Sequence, residues 1–452
     1  MTPPPNPKGY ERRRKFGSSF VLAGGFAALI ALGTLLLMLP AATKPGNSTS
    51  LIDALFTATS AVCVTGLVVV DTGDHWTTFG HVVILALIQL GGFGFMTSSI
   101  LLFMVLGQRI RLRQQVLMRE ALNLSGIGGI VSIARNIAIW TIMVQAVGVL
   151  ALSLYFAQSN EPSRAFWMGL FHGISAFNNA GFDLMGGFTS LTDFRREEFL
   201  LVVIGALVVF GSTGYVLFHD VAMSRRWVRF SLETKLILIV TSSLWLIGGL
   251  AFFWRERTNP LTLAGEVWHV QLVDTFFHSI AARTAGFVTL PVGNMTEDTT
   301  FLTMVLMLIG GAPGSTAGGI KVTTFAILCV TILAVMRGRT RTSILRRRIP
   351  QGVVFRSLAI VSLATLLLIA VSWLLADFEP VGFLPVLFEA ASALGTVGMS
   401  YGITPQLHDA SRLLLVLAMF VGRLGPLTLV LLLAQKSHRE FLEYPSESVR
   451  VG

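Results

Sequence analysis

The chain has 452 residues, 53% of them hydrophobic and 13% charged, with a formal net charge of +10 and a mean hydropathy of +0.72. That balance excludes a soluble globular protein, which has too little polar sequence here to cover its apolar part. Two cysteines, Cys63 and Cys329, offer neither a disulfide framework nor a metal-binding spacing.

Apolar stretches of about 20 residues or more, enough to cross a bilayer, run over roughly 18–40, 79–106, 133–157, 199–219, 233–254, 299–336, 357–376 and 411–435. The first is too long for a signal peptide, and Pro40-Ala41-Ala42-Thr43 is a poor cleavage signal, so it reads as a span. Basic residues cluster at Arg12–Lys15, at Arg109, Arg111, Arg113 and Arg119, at Arg225, Arg226 and Arg229, from Arg337 to Arg348, and at Lys436 with Arg439. These clusters occupy every second boundary between spans. The positive-inside rule then puts all five, and both termini, in the cytoplasm of a multi-pass protein of the cell (inner) membrane. The same placement argues against nucleic acid as the partner of the positive charge. Intervening boundaries carry acidic residues such as Asp71, Asp74, Glu197, Glu198, Glu297 and Asp298; Arg195, Arg196, Arg255 and Arg257 are exceptions, each close to an acidic neighbour.

Four short segments between the spans, about 51–65, 166–180, 271–285 and 383–397, share one register that ends on Gly66, Gly181, Gly286 and Gly398. A Phe lies ten residues before each glycine (Phe56, Phe171, Phe276, Phe388) and an Ala five before it (Ala61, Ala176, Ala281, Ala393). Ser60, Ser175 and Ser392 lie six before, where the third segment has Ile280. Each segment is too short to span but suits a re-entrant helix. Irregular backbone at membrane depth must line water or be buried in protein, so four such turns imply four walls around one path.

Each returning span carries a G-x-x-G pair: Gly91/Gly94, Gly211/Gly214, Gly311/Gly314 and Gly422/Gly425. Close helix packing explains such pairs, and so does a need for thin helices beneath the loops. The third span, 299–336, would measure about 57 Å as one helix at 1.5 Å per residue, against a hydrocarbon core of about 30 Å. Its middle, Gly310-Gly311-Ala312-Pro313-Gly314-Ser315-Thr316-Ala317-Gly318-Gly319, is rich in helix breakers and reads as a polar loop inside the membrane, able to gate the path. Gly314 to Gly319 only approaches a phosphate-binding loop, because Ile320 separates glycine from Lys321 and no strand precedes it.

The residues leading into the glycines are Cys63-Val64-Thr65, Asn178-Asn179-Ala180, Arg283-Thr284-Ala285 and Gly395-Thr396-Val397. None is a carboxylate, which leaves backbone carbonyl oxygen, the ligand that replaces the hydration shell of K⁺. Glycine permits φ > 0 and lets carbonyls turn to the axis. Thr396-Val397-Gly398 matches the opening of a potassium-channel filter in the fourth position of the register.

On these glycines, the interruption at 310–319 and Gly422-Arg423-Leu424-Gly425-Pro426, the chain from about 18 to 436 resembles the Trk/Ktr/HKT superfamily of potassium transporters. Within it the chain resembles the pore subunits of bacterial Ktr systems. The resemblance implies an all-α polytopic fold of four membrane–pore-loop–membrane repeats around one pseudo-fourfold ion pathway. It implies filter glycines at Gly66, Gly181, Gly286 and Gly398, K⁺ held by backbone carbonyls, and a gating loop at 310–319. Glycine in the first loop resembles the potassium-selective members; the extra helical pair with which Trk-type subunits usually begin is missing, which favours the Ktr branch. The family further implies a homodimer in membrane lipid, a cytosolic nucleotide-binding regulatory ring (KtrA-like) and Na⁺ as a candidate activator. Arg337–Arg348 is a candidate docking surface for that ring, although topology and anionic lipid would select the same run. The implied division is a basic N-terminus 1–17, repeats 18–108, 109–223, 224–345 and 346–436, and a tail 437–452.

Arg423, in the middle of an apolar span, is either hydrogen-bonded to carbonyls or a fixed charge beside the gating loop, and the resemblance favours the second. Arg283, three residues before a filter glycine, is expected to point away from the axis toward Glu389 or Asp274. Asn178 and Asn179 either buttress the filter or face its mouth. His75, His81, His172 and His278 lack metal spacing. An ion-coupled secondary transporter is the alternative reading, but it usually shows two inverted repeats rather than four parallel ones. A membrane-embedded enzyme lacks any pair of catalytic groups in the spans.

Overall fold

The computed structural model describes residues 18–94, 130–224, 226–339 and 341–425. The basic clusters at Arg12–Lys15 and Arg109–Arg119, Arg225, the second half of the first returning span, Pro426 and the tail lie outside the described residues. Elsewhere the order is helix, short helix, helix, four times over. The first set is α1 (Ser18–Leu37), α2 (Leu51–Cys63) and α3 (Thr78–Phe93). The second is α4 (Ile130–Phe156), α5 (Pro162–Phe177) and α6 (Glu198–Ser224). The third is α7 (Leu232–Glu256), α8 (Trp268–Ala281), α9 (Glu297–Leu308) and α10 (Val322–Met336). The fourth is α11 (Gln351–Phe378), α12 (Phe383–Gly395) and α13 (Asp409–Leu424).

The short helices α2, α5, α8 and α12 start where local chemistry starts them. Ser50 and Asp53 form a reciprocal capping box on α2, and Pro162 occupies the first turn of α5. The shared register has a packing cause. Phe56, Phe171 and Phe388 are fully buried, as are the alanines five residues before each glycine. Phe276 differs by lying partly buried against Gly249.

Among the described residues, three helices are long and apolar enough to cross a bilayer without interruption: Arg135–Phe156, Leu232–Glu256 and Gln351–Phe378. The returning helices are shorter because each meets its G-x-x-G pair. The second glycine of every pair has a left-handed φ: 75° at Gly94 and Gly214, 70° at Gly314 and 85° at Gly425. α3 and α13 end there and α6 kinks there. The expected break in the third returning span lies between Leu308 and Val322, and the other three returning helices, expected without a break, also end or kink at their second glycine. The all-helical expectation gains one exception, a hairpin of β1 (Ser343–Ile344) and β2 (Arg347–Arg348). Its two turn residues, Leu345 and Arg346, both have φ > 0, the twist that a two-residue hairpin loop demands.

Ionic groups, some buried and some exposed, fasten the connections between helices. Arg195 reaches Asp274 at 3.4 Å, Arg196 reaches Glu266 at 3.1 Å, and Arg255 pairs with Asp298. Arg257, next to Glu256 in the chain, lies over the ring of Trp254, 4.5 Å from its centroid. Glu256, fully buried, closes α7 onto α9. It accepts from the Thr296 N–H and hydroxyl (both 3.0 Å), Asn259 Nδ2 (2.8 Å) and the Thr262 hydroxyl (2.6 Å). Glu256→Ala strands these buried donors and should lower stability by about 1–3 kcal/mol, read as a drop in the thermal midpoint of the purified protein in detergent.

Candidate functional site

The four loops share a backbone as well as a register. Residues two before each glycine, Val64, Asn179, Thr284 and Thr396, have φ between 50° and 70°, a conformation that costs a side-chain-bearing residue about 1–2 kcal/mol. The glycines follow with φ of 97°, 69°, 79° and 98°. Cys63, Val64, Thr65, Asn178, Asn179, Ala180, Arg283, Thr284, Ala285, Thr396 and Val397 are all buried, and so is Gly395. Strain of this kind persists only where the surroundings over-determine it.

The glycines meet one another in a closed cycle. A Cβ on Gly66 would strike the Ala180 carbonyl oxygen, one on Gly181 that of Ala285, one on Gly286 that of Val397, and one on Gly398 that of Thr65. Each of those carbonyls belongs to the residue just before the next loop's glycine. Four carbonyl oxygens, one per loop, thus sit around the four glycine Cα atoms, and no side chain fits between them. The serines six residues upstream hold the loops in this shape. Ser60 and Ser392 accept from the N–H groups of Gly66 and Gly398 at 3.0 and 3.1 Å, while Ser175 donates to the Phe182 carbonyl at 2.7 Å. Ile280 has no hydroxyl, and the Gly286 N–H turns to the Ala281 carbonyl instead, at 3.2 Å.

On one side of the ring lies a cavity of about 460 Å³ lined by all four glycines together with Asp71, Asp183, Thr189, Ser190, Ser400 and Tyr401. Burial pushes the Asp183 carboxyl up to about 6, against the pull of the Met185 N–H that it accepts at 3.0 Å. Asp183 lies two positions past Gly181, so a reading of only the residues that lead into each glycine misses it.

On the other side lies the irregular loop 309–321. Its neck is closed by Gly310 N–H to the Ile320 carbonyl (2.8 Å), Ile320 N–H to Leu308 (3.1 Å) and Val322 N–H to Gly311 (3.0 Å). The kink of α6 at Gly214 frees the carbonyls of Gly211 and Ser212, and the loop takes them through Thr316 N–H (3.3 Å) and Ala312 N–H (2.9 Å). The Thr316 hydroxyl reaches Asn179 Oδ1 at 3.2 Å, Gly318 packs on the Thr396 side chain, and Lys321 Nζ folds back on the Ala317 carbonyl at 2.6 Å. Pro313, Gly314 and Ser315 form the loop's turn, with the Ser315 hydroxyl on the Ala312 carbonyl at 2.6 Å. Gly319 lies next to Gly395.

Two arginines grip this loop. Arg423 donates to the Thr316 carbonyl and, at 2.6 Å, to the Gly91 carbonyl at the end of α3. Both alternatives for this residue therefore coincide: it is bound to carbonyls, and its charge sits on the loop. Arg283 does turn away from the glycine ring, but neither Glu389 nor Asp274 is its partner. It donates to the carbonyls of Ile309 (3.2 Å) and Gly310 (2.6 Å) beneath Trp245, because both carboxylates are engaged elsewhere. Asn178 faces inward to the scaffold, donating to Gln89 Oε1 at 2.8 Å, which also accepts from Gln145 at 3.0 Å. Gln89 and Gln145 are amides deep in apolar spans, the sequence pattern of an interhelical bond. His75, His81 and His278 each make one polar side-chain contact and His172 makes two, and no metal-binding cluster occurs among the described residues.

A family model described as TrkH, cation transport protein, matches residues 18–443. The chain belongs to the TrkH family. It is 41% identical over 444 residues to the Ktr system potassium uptake protein B of Bacillus subtilis (strain 168), covering 97% of each chain. It is 37% identical to the potassium/sodium uptake protein NtpJ of Enterococcus hirae, covering 97% of this chain and 98% of that one. The crystal structure of the potassium transporter TrkH from Vibrio parahaemolyticus superposes with a TM-score of 0.73 at 19% identity, over 95% of this chain and 87% of that one. That likeness shows a common TrkH fold. The family is one of ion transporters, not enzymes, in keeping with the expectation.

In this TrkH-family chain, removing the Arg423 side chain leaves the Thr316 carbonyl without a donor and the Gly91 carbonyl with only the Gly94 N–H, a loss of about 1–3 kcal/mol from the loop's position. In a protein whose Cys63 and Cys329 are replaced, a Ser315→Cys label site should react about fivefold to about a hundredfold faster with a soluble thiol reagent once Arg423→Ala is added, at about 1.4 kcal/mol per factor of ten.

Proposed function

We propose that this chain takes up K⁺ across the cell membrane, through a filter made of backbone carbonyls and past a gate made by loop 309–321. The observation that carries the reading is the closed cycle in which each of Gly66, Gly181, Gly286 and Gly398 abuts the carbonyl of the adjoining loop. Carbonyl rings of this sort replace the water shell of a dehydrated cation. The potassium uptake named for the B. subtilis relative supports K⁺ as the ion. In this reading the four sets of helices are repeats 18–108, 109–223, 224–345 and 346–436 about one pseudo-fourfold axis, and both termini are cytoplasmic. Entry is driven by the ion gradient and the membrane potential, about 2.3 kcal/mol per charge per 100 mV.

The gate consists of Gly310 to Gly319 with Lys321 and Arg423. Two cationic side chains under the ring raise the barrier to K⁺ until the loop is drawn aside. A homodimer and a nucleotide-binding ring on the cytoplasmic face, with Na⁺ as an activator, complete the system; the name "Ktr system" of the relatives supports a multi-part assembly. The exposed arginines of the β1–β2 hairpin are the part of this chain best placed to meet that ring or anionic lipid.

The test is K⁺ uptake in cells that lack their own potassium systems. The chain should restore growth at limiting K⁺, and Gly66→Ser, whose Cβ must push the Ala180 carbonyl outward, should weaken the preference for K⁺ over Na⁺. Rescue with unchanged selectivity in Gly66→Ser contradicts the carbonyl filter. Asp183 adds a pH dependence. Its pKa is raised to about 6, so its charge is present above that pH and disappears as the outside is acidified through it. Uptake at limiting K⁺ should therefore fall between pH 7 and 5, and Asp183→Asn should start lower and lose the inflection.

A further inference from the structure

The segments that leave the glycines differ in how they are held. Three residues past Gly181, the Leu184 N–H meets His172 Nε2 at 3.2 Å. His172 Nδ1 lies 2.7 Å from the Met168 carbonyl, so Nδ1 must carry the proton and Nε2 must accept. Three residues past Gly398, the Tyr401 N–H is accepted by Glu389 Oε1 at 3.0 Å. His172 and Glu389 stand at the same place in the register, nine residues before their glycines. Three residues past Gly286, the Thr289 carbonyl accepts from Arg195 at 3.4 Å, and the same guanidinium lies against Asp274 on α8. In the first loop the ninth residue back is Thr57, buried, with no hydrogen-bond partner for its hydroxyl.

Glu389 has the fullest set of contacts. Its Oε1 accepts from the Ser400 hydroxyl (2.5 Å) as well as from Tyr401, and its Oε2 from the Thr404 hydroxyl (2.8 Å). The carboxylate is fully buried, yet it points into no ion path; all its contacts lie in the segment 400–404. Ser400 and Tyr401 within it are bracketed by two left-handed glycines, Gly398 (φ 98°) and Gly402 (φ 103°), positions at which the chain bends with little resistance. Ser400 and Tyr401 line the cavity directly past the glycine ring. A ring of carbonyls discriminates between cations through the number and placement of its oxygens, so a wall free to pivot between two glycines discriminates less.

We propose that Glu389 is a positioning residue for ion selectivity. It holds Ser400–Tyr401 in place past Gly398, and His172 and the Arg195–Asp274 pair hold the second and third walls in the same way. The claim rests on the carbonyl filter of the preceding subsection and adds the residues that keep it rigid. Geometry, rather than charge, is what Glu389 contributes. Glutamine keeps an Oε1 acceptor for Ser400 and Tyr401, and its amide can donate to Thr404, whose hydroxyl can turn to accept.

The experiment measures K⁺ and Na⁺ uptake side by side for wild type, Glu389→Ala, Glu389→Gln and Thr404→Val, each with its membrane content determined. Glu389→Ala should lower the K⁺/Na⁺ ratio about tenfold, the scale of one lost buried acceptor, while uptake itself persists. Glu389→Gln should stay close to wild type, and Thr404→Val should fall between the two. A wild-type ratio in Glu389→Ala overturns the proposal. So does a Gln variant as poor as Ala, which would make the charge the active property. If Glu389→Ala fails to reach the membrane, Thr404→Val decides: an unchanged ratio overturns the proposal and a lowered one supports it. A wild type without K⁺ preference overturns the filter reading first, and is recognised before any variant is compared.

Discussion

A backbone carbonyl in a hydrocarbon environment must find a donor or a cation, and the interior of this chain is arranged around that requirement. Every returning helix meets a left-handed glycine inside the apolar layer, which deprives preceding carbonyls of their helical donors. The answers come from far along the chain. Arg423 serves Gly91 and Thr316, the amides of Ala312 and Thr316 serve Ser212 and Gly211, and Arg283 serves Ile309 and Gly310. Helix breaks and buried arginines are thus two halves of one arrangement. An arginine at membrane depth, costly alone, becomes stabilising where broken helices leave carbonyls unmet.

Close approach is the second half of the design. The first glycine of three G-x-x-G pairs, Gly91, Gly211 and Gly422, sits on the carbonyl four residues before the loop glycine: Val62, Phe177 and Leu394. A Cβ at any of them would collide with backbone. The pair has two separate jobs, the first glycine giving contact and the second giving the turn. Both serve the loops above, whose left-handed residues need support from below as well as from their own short helices.

Much of this was legible beforehand, and the parts that were not share a cause. The Phe, Ala and Gly positions of the four loops follow from burial and backbone conformation, which are local properties that repeat wherever the local structure repeats. The interruption at 310–319 was legible because it is long and crowded with helix breakers. The kinks at Gly94, Gly214 and Gly425 were not, since one left-handed glycine looks in sequence like a packing glycine. Partners were harder still. Arg283 was expected on a carboxylate because charge suggests charge, but Asp274 and Glu389 had nearer claimants and neutral carbonyls were available in number. The shared place of His172 and Glu389 is hidden in the sequence because an imidazole and a carboxylate look unrelated until each is seen to accept the N–H three residues past its own glycine.

The closed neck of loop 309–321 has a kinetic consequence. Its two ends are already pinned together by three backbone hydrogen bonds, so the bulge beyond them can swing without parting α9 from α10. No end-to-end entropy has to be recovered when it returns, a cost that would grow with the length of an open loop. As the proposed gate, such a segment would behave as a latch on a fixed hinge rather than as a tether that must be searched for and recaptured. Its speed is then set by how fast a handful of contacts to Gly211, Ser212, Asn179 and Arg423 break and re-form.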